Sequence, residues 1–323
     1  MQSEGPPSKV WQSGVGVMDF GKIAATVLLS AVMELPRFVL PTFLTSVALL
    51  VRDTQAQSAG VSGMPLTSEM NDYTNAAGQT DAAAKEAAVD AFLAKYPYSR
   101  AGEDLLEQLM GLYAREPDMG KVIETAARIL SLDSKNLRAL FYITYATKEK
   151  ALSASPKQAQ ALLDDAASMA KTALDAPSKP DYMSESDFKK LKAVTSPNFY
   201  SAIAIDDAAK RDYSGAIDNF TRELRVPVNV GATESGFELD DTYRLAQACE
   251  DQAPADLKNA AWFYARAAQY APSITQHQWE AKAESTYLEY HGSMNGYPEM
   301  RALAKANLFP PPEYSPSRAI ASR

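Results

Sequence analysis

His277 and His291 are the two histidines of this 323-residue chain, and Cys249 is its one cysteine. A catalytic histidine needs a nucleophile within hydrogen-bond reach and an acid to orient it. His291-Gly292-Ser293 sets a serine beside a histidine, but at a helix end, and His277 lies 14 residues away in another turn. Three acidic doublets, Asp164-Asp165, Asp206-Asp207 and Asp240-Asp241, suggest glycoside hydrolysis, which needs two carboxyls about 5–10 Å apart across a cleft. Neighbours on a helix point about 100° apart, so a doublet does not supply such a pair. Asp240-Asp241 suits a helix N-terminus, where negative charge meets the dipole. The phosphate-cradling Gly-x-Gly-x-x-Gly and Gly-x4-Gly-Lys-Ser/Thr loops, the Gly-x-Ser-x-Gly elbow and the calcium-loop pattern are missing. One cysteine excludes an intrachain disulfide and a multi-cysteine metal site. Cys249, with no charged cluster beside it, is expected to be a small buried apolar residue. The expectation is therefore no catalytic residue, no cofactor and no metal.

The elements around these residues are helical. Apolar residues make up 46% and charged residues 22%, a globular balance. Glycine is scarce, and alanine dominates after position 80, which favours helix. The formal charge is −8 without an arginine-rich block, a poor match to nucleic acid. From Asp81 to Leu308 the apolar spacing is mostly three and four, the mark of amphipathic helices. Breakers divide this stretch: Tyr96-Pro97-Tyr98, Glu116-Pro117-Asp118, Ala176-Pro177 through Lys179-Pro180, and Ala271-Pro272. The spacing predicts helices over Glu103–Arg115 and Met119–Leu132 and a capping box at Ser184–Asp187. Arg225–Gly231, interrupted by Pro227, reads as a loop.

Residues 1–57 differ from the rest. Ile23–Val32 is a short apolar run, and Phe38–Val51 is a second, 14 residues without a charge. A membrane-spanning helix needs about 20 apolar residues. The second run fits the apolar region of a secretory signal, about 7–15 residues long, and small residues follow at Thr54–Ser58. Export to the periplasm or cell envelope is the expected address; an uncleaved membrane anchor and a buried helical hairpin are the alternatives. Four positive and four negative side chains cancel within 1–57, so the whole −8 belongs to 58–323. No cysteine follows the apolar run to carry a lipid.

The body contains an internal repeat. In Tyr243–Pro272, Leu245-Ala246 and Cys249 mark a first helix, and Ala260, Tyr264, Ala267 and Pro272 follow at offsets 0, 4, 7 and 12. Such offsets set small and aromatic residues on one helix face, where small ones let a paired helix approach. Upstream, Tyr200, Ile203 and Ala204 precede Ala216 and Phe220, with Glu223 in place of the second alanine. Leu106, Leu109 and Tyr113 precede Val122, Ala126 and Ile129. Leu140 and Ile143 precede Ala166, Ala170 and Ala173 across a connection, Ala151–Lys157, longer than usual. Ala82–Ser99 reads as the second helix of an opening unit.

These units resemble the tetratricopeptide repeat family, whose 34-residue helix–turn–helix units carry a Leu-Gly/Ala pair, then Ala, an aromatic, Ala and Pro. The resemblance covers residues 82–272 and is best in Tyr243–Pro272. It implies an all-α fold, an alpha–alpha superhelix with a concave side. The expected organisation is a targeting segment over 1–57, a flexible linker over 58–80, repeats over 81–277, capping helices over 278–309 and a disordered tail over 310–323. Trp279, Ala283, Tyr287 and Leu288 form the cap's apolar stripe; Gly292 suits a helix C-cap, and Pro298–Asn307 a further short helix.

The resemblance also implies a protein–protein interaction module that grips a protein or peptide in the concavity without covalent chemistry. The first-helix residues that would line it are Arg138, Phe141, Tyr145, Asn198, Ser201, Tyr243 and Gln247; for Phe141 and Tyr145 inter-repeat core is the alternative. Two other classes compete: a self-associating component of an envelope assembly, and a hydrolase built on helical pairs, which lacks a catalytic constellation.

Overall fold

Asp81, Asp118, Asp212 and Asp256 each accept a hydrogen bond from the backbone N–H three residues on, and each opens a helix. A side-chain oxygen at that position satisfies one of the donors a helix start leaves unpaired. These four helices are the second members of four of the hairpins. The computed structural model describes residues 68–115, 118–181, 183–226, 234, 236–312 and 314.

Among the described residues there are twelve helices and no strand. They run α1 Ser68–Ala77, α2 Ala82–Lys95, α3 Ala101–Arg115, α4 Met119–Leu132, α5 Leu137–Leu152 and α6 Pro156–Asp175. After these come α7 Glu185–Ala209, α8 Tyr213–Arg225, α9 Gly236–Asp251, α10 Leu257–Tyr270, α11 Ser273–His291 and α12 Tyr297–Ala306. The fold is all-α. The substantial helix–helix contacts all join elements one or two apart in chain order. Each helix therefore packs on its sequence neighbours, and α12 lies on α10.

The repeat positions read from the sequence form the core. Val122, Ala126, Ile129, Ala166, Ala170, Ala216, Phe220, Ala260, Tyr264 and Ala267 are all closed to solvent. Alanines on the second helices admit the neighbouring helix closely, and an aromatic such as Phe220 fills the space between layers. The long α7 continues through Pro197, which has no N–H for the carbonyl of Ala193. Ser196 Oγ donates to that carbonyl instead, at 3.2 Å.

Several boundaries differ from expectation. Ser68–Ala77, within the expected linker, is a helix: Tyr73 packs edge-on against Phe92 and donates to Asp104. It supplies the first helix of the opening pair. The α5–α6 connection is Ser153–Ser155, shorter than expected, because Ser155 and Pro156 start α6 early. At the expected capping box Ser184 Oγ accepts from the Asp187 N–H and donates to the Asp187 carboxylate. The cap helix α11 starts at Ser273, and within its stripe Trp279, Ala283 and Tyr287 are buried while Leu288 is exposed. Gly292 caps α11 in the left-handed conformation, with φ 82°.

At the end of the cap, Trp262 Nε1 donates to the Leu308 carbonyl and Phe309 meets Phe263 edge-on. Within the expected tail, Tyr314 is held: Lys258 donates to its carbonyl and its ring lies 4.9 Å from that of Trp262. The targeting segment over 1–57, the Arg225–Gly231 loop from Pro227 onward and residues 315–323 lie outside the described residues. Among those described, no helix is long and apolar enough to cross a membrane.

Candidate functional site

The first helices of the hairpins are α1, α3, α5, α7, α9 and α11. A ladder of polar contacts joins each to the next. Tyr73 of α1 donates to Asp104 of α3 at 2.5 Å. Glu107 of α3 pairs with Arg138 of α5, both buried, and also accepts from Asn136 Nδ2 at 2.6 Å. Lys148 of α5 donates to Ser201 Oγ of α7 at 3.0 Å, and Ser201 donates to Asp241 Oδ2 of α9 at 2.6 Å. Glu250 of α9 pairs with Lys282 of α11 at 2.6 Å. Tyr243 of α9 stacks on Trp279 of α11, ring centroids 4.5 Å apart. Buried polar groups of this kind cost little while paired and much when a partner is lost, so they fix how one hairpin sits on the next.

The rung through Ser201 is the most elaborate. Asp241 is 1% exposed, and its second oxygen accepts from Arg244 at 2.5 Å. Burial works to raise the Asp241 carboxyl, but Arg244, Lys148 and Ser201 outweigh it and hold the group below its ordinary range. Glu223 of α8, 3% exposed, lies against Asp241, and its Oε2 has no hydrogen-bond partner. Burial first, then the Asp241 charge, push the Glu223 carboxyl well above its ordinary value. Asp241 and Glu223 are thus pushed in opposite directions, the division expected when like charges share a desolvated site.

Around this floor stand Glu149 of α5 and Glu238 and Asp240 of α9. Each is raised, first by burial. Asp240 is nevertheless exposed, while Glu149 and Glu238 are partly buried. Nearby, Ile205, Ala208, Tyr213, Phe220, Arg244, Gln247, Ala248 and Asp251 surround a surface pocket of about 240 Å³.

The expected lining residues divide into three groups. Arg138, Phe141, Asn198 and Ser201 are buried. Arg138 and Ser201 are ladder members, Phe141 is core against Phe199 and Tyr142, and Asn198 donates to the Phe141 carbonyl at 3.4 Å. Their side chains are spent on contacts between helices rather than facing solvent. Tyr145 and Tyr243 are half-buried, and Gln247 is exposed at the pocket. The sequence reading missed Lys148, Glu149, Glu223 and Asp241 as parts of one cluster. The signal for Glu223 was present: it stands where the repeat otherwise has alanine.

Asp241 lies in the second turn of α9, since the helix starts at Gly236 rather than at the doublet. Cys249 is buried and its thiol is pushed up to about 12, chiefly by burial. His291 Nδ1 lies 3.1 Å from Ser293 Oγ and 3.0 Å from the Ser293 carbonyl, and its ring stacks on Tyr287. Ser201, between Lys148 and Asp241, has the partners of an activated hydroxyl, but it is 1% exposed and donates its proton to a carboxylate held ionised. Among the described residues no group of three or more His, Cys, Asp or Glu could hold a metal ion. No protein-family model, curated protein or solved structure matches the chain.

Proposed function

We propose that this chain is a tetratricopeptide-like scaffold whose stacked helical hairpins bind a segment of another protein, without covalent chemistry. The observation that carries this is the order of packing. Substantial contacts join only helices one or two apart, and polar rungs tie successive first helices together. Such quasi-one-dimensional stacking yields an extended face rather than an enclosed pocket, and extended faces suit peptide and protein segments. On that face, Gln247 is exposed at the surface pocket it shares with Tyr213 and Arg244.

Export to the cell envelope belongs to the same proposal and rests on Phe38–Val51 with the small residues that follow. Cross-linking in the native cell followed by mass spectrometry tests binding: a reproducible partner supports it, and recovery of none leaves it unsupported. N-terminal sequencing of the mature protein tests export, with a start near Ser58 expected.

A further inference from the structure

One face of α10 carries a row of hydrogen-bond donors. Gln269 donates to the Arg301 carbonyl at 2.8 Å, Arg266 to the Ala304 and Lys305 carbonyls at 2.9 and 3.1 Å, and Tyr270 to the Lys305 carbonyl at 3.0 Å. Ala304 and Lys305 are among the carbonyls that the end of α12 leaves without a helical partner. The row continues past α12 at a spacing of four: Trp262 Nε1 donates to the Leu308 carbonyl at 3.1 Å, and Lys258 to the Tyr314 carbonyl at 2.8 Å. In each of these bonds an α10 side chain meets main chain. The row therefore holds the backbone of the segment lying along it, as peptide-binding faces do, and leaves selectivity to side-chain seats.

Those seats are present and filled. From 308 to 312 the chain is not helical, and the Tyr314 N–H turns back to donate to the Pro311 carbonyl at 2.8 Å. Phe309 meets the Phe263 ring edge-on at 5.8 Å and has the Arg225 guanidinium of α8 5.0 Å from its centroid. Tyr314 meets the Trp262 ring at 4.9 Å and has the Lys258 ammonium 5.4 Å from its centroid. Phe309, Pro310, Pro311 and Tyr314 are partly exposed and Pro312 is exposed, whereas Trp262 is 0% exposed and Phe263 5%. The segment is thus held from one side, over an aromatic seat that it closes to solvent.

We propose that Trp262, Phe263, Lys258 and Arg225 form a docking surface for a proline-containing, non-helical segment of a partner protein with two aromatic residues spaced as Phe309 and Tyr314 are, and that segment 308–314 occupies this surface as an autoinhibitory strap. The surface lies on the second helices α8 and α10, apart from the first-helix face, so it stands or falls separately from the scaffold reading. A tethered strap meets its seat at an effective concentration of about a millimolar, which closes the seat to a weaker competitor until the strap's own contacts are loosened.

The test titrates a fluorescently labelled, amidated peptide with the sequence of residues 308–314 against the full chain and against the double variant Phe309→Ala, Tyr314→Ala, with circular dichroism recorded on both. Binding about tenfold tighter to the variant is expected, because the loosened strap no longer competes. Adding Lys258→Met to the variant is expected to weaken the peptide again. Tyr314→Ala alone, which leaves Phe309 in place, is expected to give the same order and serves if the double variant unfolds. Equal binding to wild type and variant, or binding to neither, would overturn the inference and make the strap a fixed part of the cap. Peptides selected from a random display library on the variant are expected to carry an aromatic pair flanking proline; a selection without it would overturn the partner's chemistry. A concentration-dependent dimer of the wild-type chain in light scattering, dispersed by the peptide, would assign the seat to the strap of a second copy and overturn the assignment to a partner.

Discussion

Ser201 Oγ donates to Asp241 Oδ2 at 2.6 Å, and this contact joins α7 to α9. Because Lys148 of α5 donates to the same hydroxyl, one serine links three consecutive first helices. Replacing Asp241 by alanine would take from Arg244 its carboxylate partner and from the buried Ser201 its acceptor. That loss is expected to destabilise the chain by about 3–5 kcal/mol. Ser201→Ala removes the bridge but leaves Asp241 its Arg244 partner, and is expected to cost about 1–3 kcal/mol. Urea denaturation followed by circular dichroism measures both, with the aspartate change expected to be the larger.

Glu223 makes stability depend on pH. Its folded-state carboxyl titrates well above its ordinary value of 4.5, chiefly because it is buried, so the folded chain holds this proton more tightly than the unfolded one. Its stabilising contribution is complete below about pH 4.5 and is lost as pH climbs through the raised value. Asp241 acts in the opposite sense: its contribution is present above the ordinary 3.8 and is lost as pH falls through its lowered value. Glu223→Gln keeps the shape and removes the titration. The stability of Glu223→Gln relative to wild type is expected to rise with pH above about 4.5, as read from denaturation curves across pH; a flat difference would mean that Glu223 is not the titrating group.

Cys249 is 2% exposed between α9 and its neighbours, and burial pushes its thiol up to about 12. Both accessibility and thiolate fraction therefore oppose reaction near neutral pH. A thiol-reactive dye is expected to label the unfolded chain rapidly and the native chain slowly, at a rate that follows the unfolding equilibrium.

Asp256 caps α10 by accepting from the Asn259 N–H at 3.1 Å. Asp256→Ala is expected to cost about 1 kcal/mol. The same change at Asp212, which caps α8 in the preceding hairpin, is expected to cost a similar amount, because the geometry repeats. Thermal unfolding of the two variants checks this.

The helical pairs were legible because their periodicity is local. Ala260, Tyr264 and Ala267 lie on one face by arithmetic alone, and Met119–Leu132 starts directly after the breaker Glu116-Pro117-Asp118. α1 was not legible: SEMNDYTNAA has few apolar residues, and what holds it is tertiary, Tyr73 on Phe92 and Asp104. Arg138 and Ser201 were placed on the correct helices but at the wrong depth. Whether a polar side chain on a first helix faces solvent or the next hairpin depends on the spacing between hairpins, and partners such as Glu107 and Asp241 lie 31 and 40 residues away. The Glu223–Asp241 pair needed three dimensions, since only packing brings α8 and α9 side chains into one desolvated site.

A photo-crosslinking residue placed at Gln247, on the first helix α9 at the surface pocket, and separately at Ser168, exposed on the second helix α6, tests the central claim most directly. Illumination in the native cell is expected to give a discrete protein adduct from position 247 and none from position 168. Adducts of the same proteins from both positions, or from neither, would contradict binding on the first-helix face.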